Sequence, residues 1–294
     1  MSTWTLDEQT MNVVEAGLRR RRLATFTRRP VAVVGGVGVV VIVLLAIFAP
    51  VIAPYSPVTG DVNHLFVPPL VGGHFLGTDQ LGRDTFTRLV YGARSTLEVG
   101  VLATLLGTVV AVPIGIVSGF YRGWVDTVVM RLNDVVLAFP FLLIAVGLAA
   151  MLGPSLRNAI IALGVAQIPG VVRIARAEAL GLREQDFVQA AIASGARDRT
   201  VLGRYVLPNM LSPIIVQASI AVPGAILGSA LLSFLGVGVQ PPTPAWGSML
   251  ATAQTYLYQD YWLAVYPGIA ILVTTLCFNL LGDGLRDALD PSLV

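Results

Sequence analysis

The chain has 294 residues, of which 55% are hydrophobic and 12% are charged, and its formal net charge is +2. This composition is too apolar for an ordinary soluble domain, and so small a charge gives no reason to expect a nucleic-acid partner. Its apolar runs are long enough to cross a bilayer as helices, and they lack the alternation of membrane barrel strands. We therefore predict an all-α, polytopic membrane protein with six transmembrane helices, at residues 31–53, 97–119, 127–152, 156–173, 213–236 and 262–282.

The segment before the first apolar run, residues 1–30, is strongly basic. Thr5 and Glu8 have the spacing of a capping box, which predicts a helix, and six arginines lie between residues 19 and 29. Such a cluster does not cross a membrane easily, so we predict that the N-terminus is cytoplasmic and that six spans return the C-terminus to the same side. The polar stretch is too long for a cleaved signal peptide, so the first run is predicted to be a retained anchor.

The segment after this anchor, within residues 31–94, is rich in Pro, Gly and Asp and is predicted to be an ordered external loop. It contains His64 and His74, the only histidines of the chain. A structural role in the loop is the simpler interpretation for both, and an external metal contact is the alternative.

The later spans contain prolines and one charged pair. Prolines in membrane helices are tolerated where neighbours or water satisfy the freed carbonyls, and they mark packing bends or gating kinks. Arg131 and Asp134 are three residues apart in the third predicted span, which places them on one helix face. Two interpretations stay open: a gate or a contact to the loop at residues 178–209, and a structural pair that neutralises itself. The prolines are Pro113, Pro140, Pro169, Pro223 and Pro267.

Two later loops differ sharply in their basic residues. Residues 178–209, between the fourth and fifth predicted spans, contain several arginines, whereas residues 237–261 contain no basic residue. Because loops rich in arginine stay inside the cell, the first loop is predicted to be cytoplasmic and the second external.

The cytoplasmic loop is predicted to contain two short helices. Asp186 and Gln189 have the spacing of a capping box, and Gly195 supplies a helix stop. Asp198 is predicted to cap the second helix, which should end near Pro208 because proline cannot continue the backbone hydrogen-bond pattern. Small side chains let another protein approach the backbone closely, and charged side chains fix its orientation. On this chemistry, the predicted docking residues are Ala190, Ala191, Ser194, Arg197, Asp198 and Arg199.

Several kinds of chemistry are excluded by the residue types. The chain has no lysine, so it has no P-loop of its own, and it has no H-E-x-x-H helix or nucleophile-elbow pattern. Cys277 is the only cysteine, which excludes an intrachain disulfide. The spans contain few carboxylates, which favours an external energy source over a proton relay. We predict no catalytic residues, no cofactor and no metal site in this chain.

The cytoplasmic loop resembles the EAA signature of inner-membrane permease subunits of ABC importers, in which a Glu-Ala-Ala triplet is followed by a spaced Gly and then by Leu-Pro. Two positions depart from this pattern, Gln189, where Glu is usual, and Tyr205, where an aliphatic residue is usual. The spacing is retained. The matching residues are Ala190, Ala191, Gly195, Leu207 and Pro208. The resemblance implies that Gln189, Gly195, Leu207 and Pro208 are docking residues too.

Two further segments resemble the peptide and nickel branch of those permeases. With the loop, they extend the resemblance over nearly the whole chain beyond the first two dozen residues. Ser229 departs from the pattern of this branch, in which Glu is common at that position. The matching positions are Gly77, Thr78, Asp79, Gly82, Arg83, Asp84, Gly92, Arg94 and Ser95 in the first segment, and Leu232, Ser233, Phe234, Leu235, Gly236, Pro244, Trp246, Gly247, Pro267, Gly268, Asn279, Gly282, Asp283, Arg286, Asp287 and Asp290 in the second.

The resemblance implies the type I permease fold of ABC importers, with its core at residues 95–294. It also implies a subunit of the bacterial inner membrane that imports di- or oligopeptides. Its implied partners are a related permease, two ATP-binding subunits and an external solute-binding protein, and ATP and Mg²⁺ would be bound in those partners. ATP-driven closure of the ATPases would push on residues 190–195 and rock the spans.

Two alternatives remain beside peptide import. Nickel or another small solute is the alternative within the family, and a stand-alone secondary carrier or channel is the alternative outside it. The residues predicted to contact the binding protein or the partner permease, or else to pack the loops, are Asp79, Arg83, Asp84 and Trp246.

Overall fold

The computed structural model describes residues 29–289, and these form a bundle of helices without a named strand. The helix predicted at residues 5–8, the arginines at 19–28 and Asp290 lie outside the described residues. Five of the described helices are long and apolar enough to cross a membrane, and a bent pair of shorter helices qualifies together as a sixth span. The helices are α1 Pro30–Ile47, α2 Ala49–Ile52, α3 Thr85–Tyr121, α4 Gly123–Leu137, α5 Phe141–Leu152, α6 Leu156–Arg183, α7 Asp186–Ala193, α8 Asp198–Val201, α9 Leu207–Phe234, α10 Trp246–Thr255 and α11 Trp262–Leu289, and a π-helical segment, Leu202–Val206, joins α8 to α9.

The predicted spans are confirmed, but several of their ends are wrong. α3 begins at Thr85 instead of residue 97, and α6 ends at Arg183 instead of residue 173. The predictions followed the apolar runs, whereas the helices continue into polar ends. At the start of α3, for example, the Asp84 carboxylate accepts the backbone N–H of Thr87 at 2.8 Å. The boundary drawn between residues 94 and 95 therefore lies inside one continuous helix.

The third predicted span is broken, contrary to the prediction of one helix over residues 127–152. α4 and α5 meet at an angle of 83°, and Pro140 is the N-cap of α5 instead of an interior residue. Proline has no backbone N–H and disfavours a helical conformation in the residue before it, so the helix stops and restarts there. Inside their helices, as predicted, lie Pro113, Pro169, Pro223 and Pro267.

The bent pair nevertheless crosses the bundle from end to end. α4 begins beside the C-terminus of α6, where the Arg122 guanidinium lies 2.7 Å from the Glu184 carboxylate. At its other end, α5 is separated from the start of α6 only by residues 153–155. Because α6 is one helix of 28 residues, its two ends lie on opposite sides of the bundle. We call the side that holds the C-terminus of α6 the elbow end, and the other side the far end.

α3 and α6 run parallel and meet through small residues, which recur at every fourth position of α3. A Cβ added at Gly115 would lie 2.6 Å from the Cβ of Ala175, and one added at Gly119 would lie 2.6 Å from the carbonyl oxygen of Arg176. The two backbones therefore touch, as in other membrane helix pairs that lack bulky side chains at the contact. The small residues on α3 are Ala103, Gly107, Ala111, Gly115 and Gly119.

α1 packs on the outside of this core against α11. A Cβ added at Gly38 would lie 2.3 Å from the sulfur of Cys277, so only glycine lets the two helices meet there. The rest of the α1 surface carries exposed valines, among them Val34 and Val37. Such a helix, apolar on its exposed face, is suited to hydrocarbon surroundings.

Candidate functional site

The connection from α6 to α9, residues 184–208, forms a compact unit that we call the elbow. Asp186 is the first residue of α7 and Gln185 is its N-cap, so the predicted capping box is not formed. The Gln189 side chain instead donates from Nε2 to the carbonyl of Arg183 at 2.7 Å. That carbonyl belongs to the last turn of α6 and has no partner within its helix, so Gln189 ties α7 to the helix before it. A carboxylate at this position has no hydrogen to donate when ionised.

The C-terminus of α7 lies where the sequence predicted it. Gly195 has a φ of +78°, in the left-handed region that glycine occupies without strain. The N–H of Gly195 donates to the carbonyl of Ile192 at 3.0 Å, and that of Ala196 donates to the carbonyl of Ala191 at 3.1 Å. These two bonds form a Schellman motif. A Cβ at residue 195 would meet no atom within 4 Å, so glycine is required there by the backbone and not by packing.

The elbow has a buried inner face and an exposed outer face. Val188, Val201 and Val206 are fully buried and pack in one apolar cluster with α3 and α6. Ala191 is also on the inner side, so it anchors the elbow instead of presenting a surface. The remaining predicted docking residues are all exposed, and they are Gln189, Ala190, Ser194, Gly195, Arg197, Asp198, Arg199, Leu207 and Pro208.

Two apolar side chains on the outer face were not identified from the sequence. Phe187 and Ile192 are 43% and 37% exposed, between polar neighbours. They lie on either side of the buried face of α7, and single exposed apolar side chains of this kind do not by themselves mark a protein contact. α7 is only eight residues long, so hydrophobic periodicity alone did not show which of its apolar residues face outward.

The second predicted helix does not end at Pro208, contrary to the prediction. α8 continues through the π-helical segment into α9, and the N–H of Leu207 donates to the carbonyl of Leu202, five residues earlier. This wider turn relieves the clash that a proline ring causes in a regular helix, so the helix continues through Pro208. Asp198 is the first residue of α8 and does not cap it, because the N-cap is Arg197 and no side chain caps there. The elbow is therefore joined to α9 by continuous helical backbone.

A partly buried ion pair braces the elbow end of the bundle. The Arg176 guanidinium donates from Nη2 to Oδ2 of Asp126 at 2.5 Å and from Nε to Oδ1. The hydroxyl of Ser118 donates to the same carboxylate at 2.5 Å. Asp126 lies in the first turn of α4, where the helix dipole also favours a negative charge. These three side chains join α3, α4 and α6 beside the elbow.

A second side chain, Arg183, connects the last turn of α6 to α3. Arg183 donates from Nη1 to the carbonyl of Phe120, and its guanidinium carbon lies 5.2 Å from the centroid of the Phe120 ring. That distance allows a cation–π attraction. The elbow therefore leaves a helix end that is held by side chains as well as by backbone packing.

The ion pair between Asp126 and Arg176 was not identified from the sequence, which instead predicted a pair between Arg131 and Asp134. Arg131 and Asp134 were expected to face each other, but Asp134 lies 2.7 Å from Arg173 on α6, and Arg131 forms no ion pair within residues 29–289. Asp126 and Arg176 are 50 residues apart in the chain. Only the packing of α4 on α6 shows which arginine each carboxylate meets.

At the far end, the residues predicted as external contacts are buried. The Asp79 carboxylate accepts the backbone N–H groups of Leu81 at 2.9 Å and of Arg83 at 3.0 Å. It also binds the Arg83 guanidinium at 2.8 Å, and Arg88 lies 3.4 Å away. This network orders the turn before α3. Within this chain the Asp79 and Arg83 side chains pack the loop, and their contact with a binding protein or a partner permease stays a prediction.

The histidines of the external loop have different surroundings. His74 lies 2.9 Å from the carboxylate of Asp84, which is buried at the start of α3, so His74 has the structural role that we preferred. His64 lies 2.8 Å from Asp61 on the exposed surface. The backbone N–H of Asn63, followed by the His64 side chain, holds the pKa of the Asp61 carboxyl below its usual value.

Trp246 is buried between α10 and α3. Its indole Nε1 donates to the carbonyl of Leu89 at 2.9 Å, and a Cβ added at Gly92 would lie 2.9 Å from the indole ring. The tryptophan therefore fits against a glycine on α3 and donates an additional hydrogen bond to a helical carbonyl there. Like Asp79, it packs the far end and presents no free surface.

The comparisons with known proteins settle the family. Residues 111–294 match the family described as "Binding-protein-dependent transport system inner membrane component", and residues 18–69 match the "N-terminal TM domain of oligopeptide transport permease C". The chain belongs to this permease family. With its six spans it is a multi-pass protein of the inner membrane, as predicted.

Several curated relatives cover almost the whole chain. A dipeptide transport system permease of Alkalihalophilus pseudofirmus is 40% identical over 93% of this chain and 90% of that protein. A di/tripeptide transport system permease of Pseudomonas aeruginosa is 42% identical over 92% of this chain and 90% of that protein. A glutathione transport system permease of Pectobacterium atrosepticum is 39% identical over 91% of this chain and 89% of that protein.

A solved structure agrees with the predicted fold. A chain of the MetNI methionine ABC transporter, in inward-facing conformations, has a TM-score of 0.58 and 18% sequence identity, and the match covers 69% of this chain and 96% of that one. This likeness confirms the ABC importer permease fold that the sequence predicted.

Proposed function

We propose that this chain is the permease subunit of an ATP-driven importer that carries di- or oligopeptides across the cytoplasmic membrane. The observation that carries the proposal is its similarity, at about 40% identity over nine tenths of its length, to permeases named for dipeptides and tripeptides. Glutathione, named in another relative, is itself a tripeptide. A shared ligand chemistry of short peptides therefore unites these relatives.

The elbow is the part of this chain proposed to receive mechanical input from separate ATPase subunits. Its outer face carries exposed charged, small and apolar side chains, and its inner face is fixed to α3 and α6. A push on the outer face is therefore delivered to α6 on one side and, through continuous helix, to α9 on the other. An ATPase can shift the permease only if it contacts the two conformations with different affinity, and a rigidly mounted surface meets that requirement.

The proposed orientation places the elbow in the cytoplasm. Four crossings separate it from the arginines at residues 19–29, so both lie on the same side, and basic residues favour the cytoplasmic side. The fifth crossing leads to residues 237–261, which contain no basic residue and are placed outside. The N-terminus and the C-terminus are then cytoplasmic.

The proposed assembly contains a second related permease, two ATP-binding subunits with ATP and Mg²⁺, and an external solute-binding protein. This chain has no lysine for a P-loop, so nucleotide would be bound by the partners. Copurification of a tagged chain from its native membrane tests the assembly. Recovery of two ATPase polypeptides is expected, and accumulation of solute by the chain alone under an ion gradient would contradict it.

Uptake by the reconstituted complex tests the solute. Vesicles containing the two permeases and the ATPases, with the binding protein outside, are given a labelled tripeptide or nickel ions. ATP-dependent accumulation of the tripeptide is expected. Accumulation of nickel in place of the peptide would replace the proposed substrate and leave the permease assignment intact.

A further inference from the structure

Two adjoining cavities lie between α6 and α9. The first has a volume of about 310 Å³ and contains Gln167 and Gly170 on the α6 side and Gln217 and Gly224 on the α9 side. The second has a volume of about 750 Å³ and extends towards the elbow. Ile174 and Gln217 line both cavities, so the two form one continuous groove.

The first cavity is apolar except for two carboxamides. Each glutamine offers N–H donors and a carbonyl acceptor, which are the same groups that a peptide bond offers and needs. The Nε2 atom of Gln167 is inaccessible to solvent and has no hydrogen-bond partner within the described residues. A buried amide without a partner is costly, and because Gln167 lines the cavity, a rotation of its side chain would bring this amide to a peptide there.

The two glycines in this cavity are not explained by the fold of this chain. A Cβ added at Gly170 or at Gly224 would meet no atom within 4 Å, and neither residue has a positive φ. A glycine inside a helix is less favourable than alanine by roughly 0.5–1 kcal/mol. The absence of a side chain at these positions therefore widens the cavity, and the packing of the helices does not require it.

The wider cavity contains one acidic and one basic side chain, Glu178 and Arg286, among polar residues such as Asn209 and Ser212. One charge of each sign matches the two termini of a zwitterionic peptide better than it matches a divalent cation, which prefers several carboxylates. Pro208 of the elbow lines the same cavity, so the segment proposed to contact the ATPases borders the groove directly.

We propose that a peptide passes this subunit along the α6–α9 groove, that Gln167 and Gln217 hydrogen-bond its backbone amides, and that Gly170 and Gly224 set the width available to its side chains. This inference rests on the proposed function. It makes recognition inside the permease independent of peptide sequence, because every peptide carries the same backbone groups. It makes passage dependent on side-chain size.

Cysteine accessibility tests the groove without using any solute. In a Cys277→Ser background, which removes the only native thiol, the Gly170→Cys and Gly224→Cys variants are compared with Val37→Cys on the exposed face of α1. Reconstituted complexes are treated with a membrane-impermeant, charged methanethiosulfonate reagent. Because only the thiolate reacts, and it forms in water, labelling in the groove should be about tenfold faster or more than at residue 37.

A labelled tripeptide in excess should slow the reaction at both groove positions. Equal and slow labelling at residues 170, 224 and 37 would overturn the proposal that the groove is a water-filled path, and this result does not depend on the uptake activity. Failure of the peptide to protect either cysteine, in a complex that does take up that peptide, would also overturn it. Absence of peptide uptake by the unsubstituted complex is a separate result, and it would refute the proposed function.

Size selection is tested by Gly224→Leu against Gly147→Leu. Both glycines lie inside helices with open space around them, but Gly147 lines neither cavity. Gly224→Leu should reduce uptake of a tripeptide with aromatic side chains far more than uptake of triglycine, and Gly147→Leu should leave the ratio unchanged. An unchanged ratio in Gly224→Leu would overturn the inference.

Backbone recognition is tested by Gln217→Leu, which keeps the size and removes the amide. The KM for triglycine should rise about tenfold, as for the loss of one hydrogen bond. An unaltered KM for triglycine would exclude Gln217 as a contact.

Discussion

Arg176 on α6 and Asp126 on α4 form a two-bonded ion pair directly beside the elbow, with Ser118 of α3 on the same carboxylate. The pair is partly buried, with 28% and 17% of the two side chains exposed. It links the first half of the broken span to the helix that carries the elbow. A movement of the elbow is therefore delivered to α4 as well as to α6.

Replacing Asp126 with asparagine should weaken this link. The arginine would lose its ionic partner, which costs about 1.5–3 kcal/mol for a hydrogen bond to a charged group. We expect the complex to assemble and hydrolyse ATP while peptide uptake per ATP falls. Asp134→Asn is the matched control, because the Asp134 to Arg173 pair is more than half exposed and such pairs contribute roughly 0–1 kcal/mol.

The coupling interpretation fails if Asp126→Asn and Asp134→Asn give the same ratio of uptake to hydrolysis. An exchange of charges, Asp126→Arg with Arg176→Asp, provides a further check. It should recover part of the coupling that either single change removes.

Gly195 should tolerate only residues that accept a positive φ. A side chain in the left-handed region costs roughly 1–2 kcal/mol, so Gly195→Val should disturb the end of α7, whereas Gly195→Asn should be mild. Uptake and peptide-stimulated ATPase activity should fall in the valine variant, with membrane insertion intact. Gly181→Ala, at an open position on α6 with a helical φ, is the control and should be neutral or slightly stabilising. Normal uptake by Gly195→Val would contradict the role assigned to this turn.

Gly115 should not accept a larger side chain, because the added atoms would meet Ala175 and the backbone of Val172. Overpacking typically costs about 1–3 kcal/mol, and the upper end applies where backbone cannot yield. Gly115→Leu should lower the midpoint of thermal unfolding of the purified complex, measured by tryptophan fluorescence. Gly147→Leu, which meets open space, should leave that midpoint unchanged. Equal midpoints for the two variants would show that α3 and α6 are not in close contact.

Trp246→Phe separates packing at the far end from contact with a binding protein. The change removes the indole hydrogen bond to the Leu89 carbonyl, which keeps its bond within α3, so the expected cost is that of one hydrogen bond, about 0.5–1.5 kcal/mol, with the lost packing of the larger ring. Thermal stability should therefore fall, while the affinity for the binding protein stays the same. Trp124→Phe is the control, since Trp124 is 78% exposed. A loss of binding-protein affinity without a loss of stability would return Trp246 to the role of a direct contact.

Composition and apolar length alone determined the membrane class, the number of spans and the position of the elbow. Those properties depend on short-range physics, because a bilayer selects long apolar helices and excludes clustered arginines locally. The end of α7 at Gly195 could also be predicted from the sequence, since only a few residue types accept its backbone conformation.

Tertiary structure alone decided which side chains meet. Asp126 pairs with Arg176, Asp134 pairs with Arg173, and Trp246 is buried, because these contacts depend on the rotation and register of helices distant in the chain. The same is true of the π-helical segment before Pro208 and of the groove between α6 and α9. Sequence periodicity names the apolar face of a helix, but it does not say which neighbour covers that face or where it is left open.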